Sequence, residues 1–108
     1  MPEESIFLQY VGDSPRMRVL QHLIEGRNFD YTLTDMLQAG VSWGTLNQLI
    51  PALLRLEIIL KTRKIGRATL YKINPHNEAA KQLTILYDGL IKEQLTVKEQ
   101  KIKVLLQH

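Results

Sequence analysis

Cysteine is absent from this sequence of 108 residues, which excludes disulfides, thiolate metal sites and cysteine nucleophiles together. The three histidines, His22, His76 and His108, are scattered and do not have the spacing of a metal-ligand cluster. Helical spacing places His22 on a polar, exposed helix side. We therefore expect neither a metal ion nor another cofactor.

Long apolar runs are also missing, so we expect no segment that spans a membrane. The first ten residues, MPEESIFLQY, lack the basic segment that begins a secretory signal, and we expect a cytoplasmic protein without a membrane partner. The sequence shows no nucleophile with a neighbouring base and no glycine-rich phosphate loop, so we expect no enzymatic activity.

The net charge of +3 decides little, whereas the distribution of the charges is informative. The length allows one small domain with an appendage, and the hydrophobic content of 44% is ordinary for a folded protein. Acidic residues gather near the N-terminus. Between residues 55 and 73, Glu57 is the only acidic residue among a cluster of cations. Such a cluster creates a positive field that attracts a polyanion. These cations are Arg55, Lys61, Arg63, Lys64, Arg67 and Lys72.

The segment from Thr32 to Ile73 has the order of elements of a helix-turn-helix followed by a β-wing. It reads TLTDMLQAGVSWGTLNQLIPALLRLEIILKTRKIGRATLYKI. We predict a fold that is mainly α with a small β-hairpin (α+β), a winged helix-turn-helix with a long C-terminal helix. An earlier helix begins at Ser14 and Pro15 and ends at Gly26, which we expect to be left-handed.

The second helix of the motif is predicted at about residues 43–56, capped by Ser42. Pro51 lies inside it and is expected to kink it on the exposed side. Strands at 58–63 and 68–73 surround the basic tip Lys64-Ile65-Gly66-Arg67. The apolar stripe of the helix, at spacing i, i+3, i+4 and i+7, is Leu46, Leu49, Ile50 and Leu53.

The last helix, from residue 78 onward, carries apolar residues around more than half of its circumference. A helix with a single neighbour needs a narrower stripe, so the extra width indicates two neighbours, its own domain and a partner chain. We therefore divide the chain into a winged-helix domain of residues 1–76 and a dimerisation helix of residues 77–108, and expect a homodimer. The predicted dimer contacts are Leu83, Leu86, Leu90, Ile91, Leu95, Ile102 and Leu105.

Three segments of the chain resemble the archaeal winged helix-turn-helix regulators of the ArsR/MarR-like group. SPRMRVLQHLIEG resembles the first helix of that group, TLTDMLQAGVSWGTLNQLIPALLRLEII its helix-turn-helix and KTRKIGRATLYKIN its wing. The resemblance implies a dimeric transcription factor with the helix after Ser42 in the major groove of DNA and the wing on the backbone. Metal-sensing members use Cys or His clusters, which this chain lacks, so metal sensing is not implied.

A helix that enters the groove needs short polar side chains near its N-terminus. Asn and Gln can pair with adenine, and a Thr methyl can contact the thymine methyl. Glycine lets the backbone approach the DNA. Trp43 has two open interpretations, core packing beneath the turn or contact with DNA. The predicted contacts of this helix are Ser42, Trp43, Gly44, Thr45, Asn47 and Gln48.

The wing, residues 61–72, is predicted to bind phosphates through its cations. The other interpretation is a solvated hairpin whose charges discourage edge pairing. The predicted backbone contacts are Lys61, Arg63, Lys64 and Arg67, with Arg16 and Arg18 as further candidates. We expect a sequence-specific regulator of transcription that binds double-stranded DNA. Two other functions stay open: a winged-helix module that binds proteins, and an architectural or RNA-binding protein without sequence readout.

Overall fold

The computed structural model describes residues 5–106, which form five α-helices and one antiparallel hairpin. This mainly helical architecture with a hairpin and a long last helix confirms the predicted fold class. The elements are α1 (Ile6–Val11), α2 (Pro15–Glu25), α3 (Leu33–Met36) with a 3₁₀ turn (Leu37–Ala39), α4 (Trp43–Arg55), β1 (Ile59–Ile65), β2 (Ala68–Ile73) and α5 (Glu78–Leu106).

Side-chain hydrogen bonds fix the starts of α2 and α3. The Ser14 hydroxyl accepts a bond of 3.2 Å from the backbone N–H three residues later, and Pro15 occupies the first helical position, as predicted. Thr32 and Asp35 form a reciprocal capping box with bonds of 3.1 and 2.9 Å. Both helix starts are therefore encoded locally.

Helix α1 is an element that we did not predict from the sequence. Six residues are too few for a helix that is stable in isolation, so its neighbours must hold it. Phe7 is fully buried and meets Tyr87 of α5 edge to face, with ring centroids 5.7 Å apart. The packing of α1 on α5 thus supplies what local propensity does not.

The core lies between α1, α2, α4, the hairpin and the first half of α5. The predicted stripe of α4 is confirmed, since Leu46, Ile50 and Leu53 are buried and Leu49 is partly buried. The helix continues through the exposed Pro51 and ends at Arg55. The largest fully buried side chains are Phe7, Val19, Leu20, Leu23, Ile24, Met36, Leu46, Leu53 and Ile59.

Two predictions about α2 are wrong. Gly26 has φ of −104° and is not left-handed; a Cβ added there would lie 1.7 Å from the Tyr31 hydroxyl oxygen, so a larger residue would displace that ring. His22 is half-buried instead of exposed, and its ring centroid lies 5.1 Å from that of Tyr31. Its Nε2 is buried without a hydrogen-bond partner among residues 5–106. Helical periodicity does not reveal that the following loop folds back over α2.

Strands β1 and β2 pair antiparallel, from Ile59 opposite Ile73 to Ile65 opposite Ala68. The register shifts between positions 61 and 63, which marks a β-bulge on β1. Gly66 has φ of 62° and begins the two-residue turn, a position where a type II′ turn requires glycine. The predicted first strand began one residue earlier and ended two residues earlier, whereas β2 has the predicted bounds.

The surroundings of helix α5 differ along its length. Asn77 caps it by accepting a bond of 2.9 Å from the Ala80 N–H, and Ala80 and Leu90 lie in the core. All residues from 92 to 106 are exposed. The division of the chain at residues 76 and 77 stays a prediction. No helix in the described part of the chain is long and apolar enough to cross a membrane.

Candidate nucleic-acid interface

The outer face of α4 is polar and open. Gly44, Asn47, Gln48 and Arg55 are exposed, and Thr45 is half-buried on the flank. The buried stripe on the opposite side orients this face outward, away from the core. The helix therefore presents the short polar side chains that the sequence placed near its N-terminus.

Hydrogen bonds order the first turn of this face. The Ser42 hydroxyl accepts a bond of 3.2 Å from the Thr45 N–H and donates one of 2.8 Å to the Thr45 hydroxyl. Asn47 donates from Nδ2 to the Trp43 carbonyl at 3.1 Å, so its side-chain oxygen points away from that bond as an acceptor. Among residues 5–106 the Gln48 amide has no hydrogen bond. Gln48 thus keeps its full donor and acceptor capacity.

Gly44 is not required by the packing of the protein. A Cβ built on it meets no atom within 4 Å, and its φ is not in the left-handed region. The chain itself would accept alanine here. The structure is therefore compatible with a glycine that serves the approach of an external molecule.

Trp43 borders a cleft between α3, α4 and the wing. The residue is 50% exposed, so it is not a core residue. The cleft has a volume of about 270 Å³, and Arg67 and Thr69 of the wing line its other side. The start of α4 and the base of the wing tip thus border one continuous concave surface.

The predicted cations fall into two groups. Lys61, Lys64, Arg67 and Arg16 are exposed and have no ion pair within residues 5–106. Arg18, in contrast, donates to both carboxylate oxygens of its acidic neighbour five residues earlier, at 2.5 and 2.7 Å. This bond lowers the pKa of Asp13 below its ordinary value.

Arg63 is the second paired cation. It donates to both oxygens of Asp30 at 2.9 and 3.1 Å, and Thr62 donates to the same carboxylate at 2.5 Å. The hydrogen bond from Arg63, followed by that from Thr62, lowers the pKa of Asp30 to about 2, and the same pair raises the pKa of Arg63. We did not single out Asp30 or Thr62 from the sequence, because 33 residues separate Asp30 from Arg63 and no local pattern connects them.

The predicted dimer contacts differ in exposure. Leu90 is 7% exposed and packs in the core, and Leu83 packs partly against it. Ile91 is half-buried. The exposed members are Leu86, Leu95, Ile102 and Leu105. The interface prediction therefore depends on Leu86 and on the second half of α5.

No group of three or more side chains suited to a metal ion converges within the part of the chain that the structure describes. Comparison of the sequence with models of protein families gives no match, and comparison with curated proteins gives none either.

The fold is similar to solved structures that include transcription regulators. The adhesin competence repressor AdcR from Streptococcus pyogenes matches with a TM-score of 0.61 and 19% identity, over 91% of this chain and 73% of that chain. NadR in complex with 4-hydroxyphenylacetate matches with a TM-score of 0.63 and 16% identity, over 99% and 92%.

MepR, a transcription regulator of the Staphylococcus aureus multidrug efflux pump MepA, is also similar. Its complex with DNA matches with a TM-score of 0.60 and 14% identity, over 94% of this chain and 82% of that chain. At such identities these likenesses establish the fold. They confirm the winged-helix architecture with a long C-terminal helix.

Proposed function

We propose that the chain is a sequence-specific, double-stranded DNA-binding regulator of transcription. One observation carries the proposal: Trp43 at the start of α4 and Arg67 of the wing border one open cleft, and the polar face of α4 and the wing cations beside it are exposed within residues 5–106. A similar fold is known in complex with DNA. We also propose, from the three resembling segments, that it belongs with the archaeal ArsR/MarR-like regulators and is cytoplasmic.

In this proposal α4 enters the major groove with its N-terminal turns. Gln48 and the side-chain oxygen of Asn47 read base edges, and Thr45 contacts a thymine methyl. Gly44 lets the backbone come close. Ser42 and Thr45 keep their mutual hydrogen bonds, so the cap orders the turn that faces the DNA.

The wing binds the phosphate backbone in this proposal. Lys61, Lys64 and Arg67 neutralise phosphates and release counterions, which gives affinity for any duplex. The Trp43 side chain, half exposed in the cleft beside Arg67, lies against the sugar-phosphate strand that passes between α4 and the wing. Base contacts then provide the preference for one sequence over another.

We propose that two copies of the chain associate through the exposed half of α5. This helix has 29 residues and extends about 43 Å at 1.5 Å per residue. Beyond residue 92 it has no core of its own to cover, and it exposes apolar side chains on that stretch. These are Leu95, Val97, Ile102, Val104, Leu105 and Leu106. A surface this apolar is typical of a protein interface.

Selection of bound duplexes from a random pool tests the function, together with the molecular mass in solution. We expect an enriched inverted repeat with half-sites about 10 base pairs apart, and a mass of two chains. Duplex affinity without an enriched motif would indicate an architectural role. No salt-dependent affinity for duplexes would contradict the proposal and favour a module that binds proteins.

Paired substitutions distinguish the contribution of the wing to DNA affinity from the contribution of the net charge. Replacing Lys64 and Arg67 by Ala is expected to weaken binding to all duplexes. It should also reduce the salt slope of the dimer by about 4, since each protomer loses two phosphate contacts and each contact contributes about 0.9. The matched control replaces Lys92 and Lys103 of α5, which removes the same charge far along the chain. Equal losses for the two pairs would mean that only net charge matters.

A further inference from the structure

The carboxylate of Asp30 ties the loop before α3 to the wing. It accepts two bonds from Arg63 and one from Thr62, and its side chain is only 16% exposed, against 61% for that of Arg63. Two parallel bonds from a guanidinium fix direction as well as distance. The contact is therefore a defined geometry and differs from a loose surface pairing.

This cluster spans the middle strand of the wing sheet. Next to Asp30, Tyr31 pairs with Tyr71 of β2 through two backbone bonds of 2.8 Å each. Strand β1 lies on the other edge of β2. Asp30 thus reaches across β2 and bonds to β1 at Thr62, where the register shifts.

Beyond the tie, the wing is supported by the pairing of β1 with β2. A two-stranded hairpin is only marginally stable alone, and a bulge bends and twists the strand that carries it. Beyond the bulge, residues 63 to 67 are exposed and have no core contact to fix their direction.

We infer that the Asp30–Thr62–Arg63 cluster orients the wing for DNA, and that Arg63 is a positioning residue and not a phosphate contact. The inference rests on the proposed function and gives one of the predicted DNA-binding cations a different task. Arg63 holds the bulge through Asp30, while Lys61, Lys64 and Arg67 bind phosphates.

The sign of one substitution distinguishes this inference from simple electrostatics. Asp30 is an anion on a cationic wing, so charge alone predicts that Asp30→Ala strengthens DNA binding. If Asp30 orients the wing, the same change weakens binding, because fewer molecules have the wing in the binding conformation. If 10–30% of the molecules keep the wing in the binding conformation, the dissociation constant rises roughly three- to tenfold.

Arg63→Lys is the second variant. Lysine keeps the charge and binds phosphate as a point charge, but it does not form the two parallel bonds to a carboxylate. A positioning role predicts that Arg63→Lys loses nearly as much duplex affinity as Arg63→Ala, with the salt slope of the wild type. A phosphate contact predicts that Arg63→Lys binds like the wild type. Lys64→Ala is the matched control, and it should reduce the salt slope of the dimer by about 2, since each protomer loses one phosphate contact.

The experiment measures duplex affinity by fluorescence anisotropy at several salt concentrations, and hydrogen exchange of the Tyr31 and Tyr71 amides without DNA. We expect Asp30→Ala and Arg63→Lys to weaken binding and to speed exchange at both amides, and Asp30→Asn to lie between Asp30→Ala and the wild type. Stronger binding of Asp30→Ala, or unchanged exchange, would overturn the inference. If the wild type has no duplex affinity, the proposed function fails, while the exchange data still decide whether the cluster holds the wing.

Discussion

Replacing Gly44 by alanine should stabilise the fold and weaken DNA binding. An added Cβ meets no atom within 4 Å, so no clash opposes the change. Alanine is favoured over glycine within a helix by about 0.5–1 kcal/mol, with the lower end expected at a second helical position. For a domain of this size, that gain corresponds to a rise of about 2–4 °C in the melting temperature.

The effect on DNA binding has the opposite sign. If the backbone at Gly44 contacts DNA, the new methyl group occupies space that the duplex needs. Inserting a methyl group into a packed contact costs about 1–3 kcal/mol. At 1.4 kcal/mol for a factor of ten, the dissociation constant should rise roughly 5- to 150-fold.

Gly89→Ala is the matched control. Gly89 lies in α5, outside the predicted dimer stripe. A Cβ built on it also meets no atom within 4 Å. Thermal denaturation and fluorescence anisotropy on both variants should show two stabilised proteins, of which only Gly44→Ala binds DNA poorly. Unchanged affinity for Gly44→Ala would refute a close approach of DNA at this residue, and a lowered melting temperature would refute the structural argument.

Two further predictions concern the carboxylate of Asp30 and the second half of α5. Because hydrogen bonds lower the pKa of Asp30 from 3.8 to about 2, its ionised form favours folding above about pH 4, and this contribution is lost as the pH falls through about 2. A carboxyl NMR titration should give a midpoint near 2, and a midpoint near 3.8 would exclude the cluster in solution. Ile102→Glu should halve the mass measured by light scattering, whereas Lys103→Ala, with the same charge change, should not; an unchanged mass for both would contradict an interface there.

Local patterns predicted the elements that build the candidate interface. The stripe of α4 follows from its apolar spacing, and the caps at Ser14 and Ser42 follow from side chains that bond to nearby N–H groups. The exposed face of α4 was then fixed by elimination. The short α1 was missed because its stability comes from Phe7 and distant partners in α5.

Contacts between distant segments could not be predicted in this way. The position of His22 depends on a loop that returns over α2 and places the Tyr31 ring against it. The pairing of Arg63 with Asp30 depends on the same loop, so the sequence showed a cation without showing that it was paired. A charge cluster read from sequence therefore overstates the number of charges available to a ligand.

That distinction has a measurable consequence for DNA affinity. Arg63 and Arg18 each bind a carboxylate through two bonds, whereas the other predicted cations have no ion pair with any residue that the structure describes. When the protein binds DNA, a cation already neutralised by an internal carboxylate releases few counterions from the DNA. Two protomers that use only the unpaired set give a slope of log K against log salt of about −7, whereas the full set of predicted cations gives about −11. The unpaired set is Lys61, Lys64, Arg67 and Arg16.

A salt titration of the wild-type protein on its selected duplex therefore counts the cations that reach phosphates. Breaking the Arg63 pair by Asp30→Asn separates two effects, since it frees a charge while it loosens the wing. If the internal carboxylates neutralise both arginines, the wild-type slope lies near the shallower value and steepens in Asp30→Asn even as affinity falls. A wild-type slope near the steeper value would show that phosphates displace the carboxylates, and the division of cations into positioning and binding groups would be wrong.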